Sequence, residues 1–195
     1  MRVTRQKAAE NREKIVATAA RLFRENGFDG VGLDTIMESA GLTHGGFYRH
    51  FRSKDDLAAE AVAHGLASNA GRQAELRSLE ALVSSYLSSE HRADLARGCT
   101  IAALGSDMTR QGKEVRHALA VHLRAQIDRL AGWTDGPNAA ARRRRAIATL
   151  AEMVGALILA RAVDDAALSD EILAAGRADC RIARPRKTAR KSARD

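Results

Sequence analysis

Aromatic residues are scarce in this chain of 195 residues, which has four Phe, two Tyr and one Trp. So few rings cannot form a stacked cage for a flat cation, and most of the interior has to be aliphatic. Proline occurs at two positions only, Pro137 and Pro185. No segment alternates apolar and polar residues as a half-buried strand does. The two cysteines, Cys99 and Cys180, form no CxxC pair and have no clustered histidines beside them. That excludes a local zinc site, and two free buried thiols in a reducing compartment are the simplest account. No run reaches the roughly 18 apolar residues of a membrane helix. The opening MRVTRQKAAENREK has no apolar signal segment. These absences lead to the expectation of an all-α, cytoplasmic protein with no membrane partner.

Ala, Leu, Arg and Glu dominate what is present, and an apolar fraction of 45% is enough for a buried core. The formal charge of +8 is unevenly spread. Residues 1–55 carry ten Lys/Arg against seven Asp/Glu, and residues 56–180 carry fifteen against sixteen. Residues 181–195 carry seven against one. Basic ends around a neutral middle suit a polyanionic partner at the ends, and packing or small-molecule binding between them.

Apolar spacing predicts a first helix over Ala8–Asn26, with Ile15, Ala19, Leu22 and Phe23 on one face and Gly27 after its end. A brief helix over Leu33–Ala40 follows, pointing Ile36 and Met37 inward. Gly41 then turns the chain, Thr43 caps the next helix, and that helix spans His44–Phe51. Ser53-Lys54-Asp55-Asp56 has the form of a capping box opening a helix to about Ala70. Further helices are expected over Ser78–His91, Gly98–Gln111, Lys113–Gly132, Asn138–Val163 and Ser169–Ala183. The organisation predicted is a small unit over 1–55, with the helix to about 70 as connector, a larger helical unit over 71–183, and a disordered basic tail over 184–195.

The segment GLTHGGFYRHFRSKDDL, Gly41 to Leu57, carries the clearest chemistry. Two short helices joined at a glycine match a helix-turn-helix, whose second helix enters the DNA major groove. Phe47 and Phe51, four apart, would anchor that helix. Tyr48, Arg49, His50 and Arg52 would leave the core side. Gly45 and Gly46 each cost roughly 1 kcal/mol against alanine in a helix. Their presence in the first turn, beside Thr43 and His44, is explained if a large anion lies too close for side chains. Lys54 adds an ammonium at the next helix start. The competing reading of the same spacing is a helical hairpin with a cationic face exposed only to water.

Beyond spacing, the stretch from Ile15 to Val62 resembles the DNA-binding domain of the tetracycline-repressor (TetR/AcrR) family of bacterial regulators. The resemblance rests on Ala20, Leu22, Phe23, Gly27, Phe28, Ile36, Ala40, Gly41, Thr43, Gly45, Phe47, Tyr48, Phe51, Ser53, Lys54 and Leu57. It implies a small helix-turn-helix DNA-binding domain followed by a larger helical ligand-binding and dimerisation domain. It also implies a homodimer on a palindromic operator in double-stranded DNA, acting as a repressor that a small-molecule effector releases. Carried onto this chain, base or backbone contacts fall to Thr43, His44 and Gly45, and phosphate contacts to Tyr48, His50 and Lys54. Gly46 and Arg49 complete the predicted DNA-contacting set. Two positions depart from the family pattern: Gly32 stands where Ser or Thr is frequent, and His44 where Lys or Arg is common.

In the larger unit, the helix Asn138–Val163 is apolar on more than one stripe, so it needs its own core and a second partner. Leu150, Val154, Leu157 and Ile158, with Ile172, Leu173 and Gly176 of the last helix, are the predicted dimer seam; the alternative is that both faces are internal. Cys99, Ala103, Met108, Trp133 and Met153 are the candidates for lining an effector cavity, each equally able to be ordinary core. A small or aliphatic effector suits so few aromatics. Cys99, near a helix start, makes a redox-responsive regulator a second reading, and a ligand-independent DNA-binding protein a third. His117 and His122 are badly spaced for one metal, and no cofactor or metal is expected. With no Gly-rich phosphate loop or nucleophile elbow, an enzyme is not expected. Removing Arg184–Asp195 is expected to weaken binding to arbitrary DNA and flatten its salt dependence while preserving preference for one operator. Competition titrations at two salt concentrations check this.

Overall fold

A computed structural model describes residues 5–181, so the predicted basic tail lies outside the described residues. The all-α expectation holds: every regular element among them is a helix. In order they are α1 (Arg5–Asn26), α2 (Leu33–Ser39), a short 3-10 helix (His44–Arg49), α3 (Lys54–Gln73), α4 (Leu79–Tyr86) and α5 (Ser89–Ala93). Then come α6 (Thr100–Leu104), a 3-10 turn (Asp107–Arg110), α7 (Lys113–Ala131), α8 (Ala139–Ala162) and α9 (Ala166–Arg181).

The head is built as its apolar spacing requires. Ile15, Ala19, Leu22 and Phe23 of α1 are buried together with Ile36 and Met37 of α2 and Leu57, Ala61 and Val62 of α3. Rings fill the remaining space: Phe23 and Phe28 lie 5.2 Å apart, and Phe47 stacks on Phe51 at 5.6 Å. Fully burying one such ring contributes about 1.5–3 kcal/mol. On the rim, Arg12 of α1 makes two hydrogen bonds to the Glu60 carboxylate of α3. The same guanidinium lies 4.5 Å from the centre of the Phe51 ring. α3 begins at the predicted cap, with Ser53 Oγ accepting the Asp56 N–H at 3.1 Å. The Asp56 carboxylate reaches back to the Arg52 N–H at 3.2 Å, one residue before the cap.

The turn between α2 and the short helix is a Schellman motif. Gly41 has φ +66°, its N–H bonds Glu38 O at 2.8 Å, and the Leu42 N–H bonds Met37 O at 2.9 Å. Only glycine enters that backbone region freely. It redirects the chain in one residue, which sets the angle between the two short helices.

A second cluster holds Leu82, Val83, Leu87, Leu130, Met153, Leu157 and Leu173. The two cores meet at α6 and the loop before it. Leu104 and Met108 belong to the head cluster, which therefore continues beyond residue 55. Asn69 of α3 donates to Gly98 O and accepts from the Thr100 N–H and hydroxyl, all at 2.9 Å. Arg24 of α1 donates to Ala96 O through Nε at 2.9 Å and again through Nη2.

Several predicted boundaries are corrected. The helix expected over His44–Phe51 is a six-residue 3-10 helix, and the Thr43 hydroxyl makes no capping bond. The span Ser78–His91 is two helices, because Leu87 leaves helical geometry and Ser88 Oγ accepts the His91 N–H at 3.1 Å, starting α5. The span Gly98–Gln111 breaks after Leu104 and resumes only as a 3-10 turn. α9 starts three residues early because the Asp165 carboxylate accepts the Ala167 and Leu168 N–H groups at 2.9 and 3.0 Å. Replacing Gly41 by Ala is expected to cost roughly 1–2 kcal/mol for a left-handed residue with a side chain. Urea unfolding of both proteins measures it.

Candidate nucleic-acid interface and adjoining cavity

The six residues His44–Arg49 divide by direction. Phe47 has no exposed surface and holds the short helix to the head, while Tyr48 on the next step is 67% exposed. The Tyr48 ring stands edge-on to Phe47, with centroids 5.2 Å apart. Thr43, His44, Gly45 and Arg49 are exposed, and Gly46 and His50 partly so. Seven of the eight predicted DNA-contacting residues, all but Lys54, are thus exposed or partly exposed on this stretch. A Cβ at Gly45 would meet nothing within 4 Å, and one at Gly46 would make ordinary contact with Met37 Cε at 3.7 Å and Thr43 Oγ1 at 3.9 Å. Nothing inside the protein requires glycine at these two positions.

The side chains differ in readiness. His44 Nδ1 is 2.5 Å from Asp34 Oδ1 of α2, an ion pair whenever the imidazole is protonated. Burial, then the charges of Arg12 and Arg49, lower the His50 pKa, so His50 presents a neutral ring near pH 7. The Lys54 ammonium is turned inward and donates to Phe28 O at 2.6 Å. That bond engages one of its three N–H donors within the protein. Gly32 stands at the N-terminal cap of α2 with no side-chain capping bond, as its departure from the family pattern implies.

Behind the head, a cavity of about 600 Å³ opens between the end of α3, α4, α5 and the loop to α6. Asn69, Arg72, Tyr86, His91, Asp94 and Cys99 are among its walls. Of the five residues predicted to line a cavity, this brings only Cys99 to it. Met108 and Ala103 pack in or against the head core. Met153 belongs to the second core, and Trp133 packs against it with the Arg129 guanidinium 4.7 Å from its ring centre. Asn69, Arg72, His91 and Asp94 bring polar groups to its walls beside the apolar surface of Leu76 and Leu82. Apolar periodicity could not find them, since Asn69, Tyr86 and His91 come from three separate helices.

His91 organises this region. Its Nδ1 donates to Tyr86 O at 2.6 Å and its Nε2 accepts the Cys99 N–H at 3.0 Å, which defines the neutral ring with its proton on Nδ1. Beneath it, Arg161 of α8 donates to His91 O at 2.7 Å and Arg92 O at 3.1 Å. On the far side, the predicted dimer seam is split. Leu157, Leu173 and Gly176 face this chain's own core, Gly176 lying against Leu87 and Ala156. Leu150, Val154 and Ile172 are partly buried against it, and Ile158 is exposed beside Leu159 and Ile147.

Comparison with known proteins agrees with this layout. A sequence family described as bacterial regulatory proteins, tetR family, matches residues 15–61. Over 59 residues the chain is 42% identical to the HTH-type transcriptional regulator AcrR of Shigella flexneri, covering 30% of this chain and 27% of that protein. Over 54 residues it is 44% identical to the HTH-type transcriptional regulator LmrA of Bacillus subtilis, covering 27% of this chain and 29% of that one. Both curated relatives are therefore matched over less than a third of their length. A solved TetR transcriptional regulator from Chloroflexus aurantiacus is similar over 89% of this chain and 95% of its own, with 26% identity and a TM-score of 0.73. These are regulators rather than enzymes.

Burial is the first cause of a lowered pKa at His50, His91 and His122. Each binds its proton less tightly folded than unfolded. Stability is therefore complete above the unfolded value of about 6.5 and lost as pH falls below it. Calorimetry is expected to show a lower Tm at about pH 5.5 than at about pH 7.5; an unchanged or higher Tm would contradict the neutral-ring assignment.

Proposed function

We propose, from the premise that this chain belongs to the tetR family of bacterial regulatory proteins, that it is a homodimeric repressor of transcription in the cytoplasm. It binds a palindromic operator and leaves it when a small molecule occupies the cavity. The reading is carried by Gly45 and Gly46, whose exposed backbone has room for side chains on its own side and no internal reason to lack them. A duplex lying against Thr43, His44 and Gly45 supplies that reason. Tyr48, His50 and Lys54 then take phosphates on either side.

Pairing is assigned to α8 and α9. Ile147, Ile158 and Leu159 are 45%, 41% and 57% exposed along α8. The small residues Ala174, Ala175 and Ala178 lie exposed on α9 and permit close helix approach. A second copy covering this face, together with Leu150, Val154 and Ile172, doubles the head. Two short helices then meet successive major grooves about 34–36 Å apart. In this reading residues 1–55 with α3 read DNA, and residues 71–183 hold the effector and the partner.

Gly45→Ala separates this reading from a purely structural one. The variant is expected to keep the wild-type Tm and lose about tenfold or more in operator affinity, the scale of one lost base contact. The operator is first obtained by selecting bound duplexes from a random pool, and dimerisation is followed by sedimentation. Unaltered affinity in Gly45→Ala, or a selected pool without an inverted repeat, would overturn the proposal.

A further inference from the structure

The two cysteines sit in opposite settings. Cys180 is 1% exposed, and burial followed by the Glu152 carboxylate pushes its thiol up to about 12. That thiol is inert. Cys99 is 7% exposed on the wall of the cavity, at the start of α6. Its N–H is held by His91 Nε2, and its sulfur accepts the Ala102 N–H at 3.5 Å.

Around Cys99 the hydrogen bonding does not close. Tyr86 Oη and Arg161 Nη1 are both buried with no oxygen or nitrogen acceptor in reach, the Tyr86 hydroxyl having only the Cys99 sulfur, a weak acceptor, beside it. Arg161 uses Nε and Nη2 on the carbonyls of Arg92 and His91, which leaves Nη1 alone. After burial, the charges that act on Arg161 are those of Cys99, Tyr86 and Asp94. Tyr86 is 5% exposed, and burial, then the nearby Cys99 sulfur, raise its pKa well above the usual phenol value. Its hydroxyl therefore stays protonated and able to donate. Native interiors rarely leave two neighbouring donors unpaired. Cys99 interacts with both side chains, and its Sγ is an atom able to gain the oxygen that such donors would bond.

We propose that Cys99 is a peroxide-oxidised site, whose sulfenate oxygen is held by Tyr86 Oη and Arg161 Nη1. A hydroperoxide, scarcely larger than water in its simplest form, enters through the cavity. The thiol sulfur attacks the nearer peroxide oxygen, so an S–O bond forms and the O–O bond breaks. The departing oxygen leaves with the thiol proton as water or an alcohol, and the sulfenic acid so formed releases its own proton to solvent to give the sulfenate. Sulfur is oxidised by two electrons and the peroxide is reduced. The new oxygen takes both open donors, where charge-assisted hydrogen bonds favour the anionic sulfenate. The site lies where a change is felt on both sides. α6 leads from Cys99 to Leu104 in the head core, and Ala96 in the preceding loop holds Arg24 of α1. Resting on the regulator reading above, oxidation is expected to weaken operator binding.

The reduced full-length protein is treated with hydrogen peroxide, sulfenate is trapped with dimedone, and the adduct is mapped by mass spectrometry. Cys99 is expected to label and Cys180 not. Labelling of Cys99 in the folded protein should be faster than in the urea-unfolded chain. Tyr86→Phe keeps the ring and removes the donor, so sulfenate yield should fall about fivefold with Tm unchanged. Arg161→Lys, which retains the charge, should fall less than Arg161→Met. Equal labelling of folded and unfolded chains would overturn the proposal. So would a Tyr86→Phe variant that labels like the wild type, since a resident water only would then satisfy the open donors. In a second arm, oxidised wild type should lose operator affinity and regain it with dithiothreitol, and Cys99→Ser should respond to neither. The trapping arm needs no DNA, so a failed regulator reading and a failed oxidation site give different results.

Discussion

Two phenylalanine rings under a six-residue helix set the terms for the outward surface of the head. Phe47 and Phe51, stacked and fully withdrawn from water, hold the short helix to α1 and α3. With that side committed, Thr43, His44, Gly45, Tyr48 and Arg49 have only the outside to face. An isolated helix this short does not persist in water, because nucleation costs more than so few hydrogen bonds return. The surface therefore exists only as long as the head core does. Arg12 shows how closely the two are joined, since one guanidinium grips Glu60, covers Phe51 and helps keep His50 neutral.

A second junction ties the cavity to the head. The loop between α5 and α6 presents Asp94 and Cys99 to the cavity and the Ala96 carbonyl to Arg24 of the head. Asn69 fixes the same loop to α3 from below. Asn69, Cys99 and Thr100 are buried, while Arg24, Asp94 and Ala96 are half-buried, so these bonds lie between the cavity and the head. Coupling of this kind works through bistable packing rather than gradual deformation. His91 adds a condition, because its two bonds require a ring with a single proton.

Much of the head was legible from sequence alone. Helical spacing in α1, the glycine turn at Gly41 and the Ser53 cap each depend on neighbours three or four residues away, and local rules are strong there. The direction of Phe47 and Tyr48 followed from helical geometry. The form of the helix bearing them did not, since the choice between α and 3-10 is made by the packing of Phe47 and Phe51. The break at Leu87 carries no glycine or proline, and after Leu104 the single Gly105 does not outweigh the apolar pattern on either side.

By itself the chain determined an all-helical protein, an aromatic head and the identity of the outward residues on its short helix, because these rest on composition and on contacts within a few residues. Tertiary structure alone decided which cysteine meets the cavity, that Lys54 is drawn back onto Phe28, and that Leu157, Leu173 and Gly176 turn inward while Ile158 and Leu159 face out. Those outcomes depend on how helices far apart in sequence cross one another. A pattern of apolar residues says that a helix has two faces to cover; only the packed fold says which face is already covered.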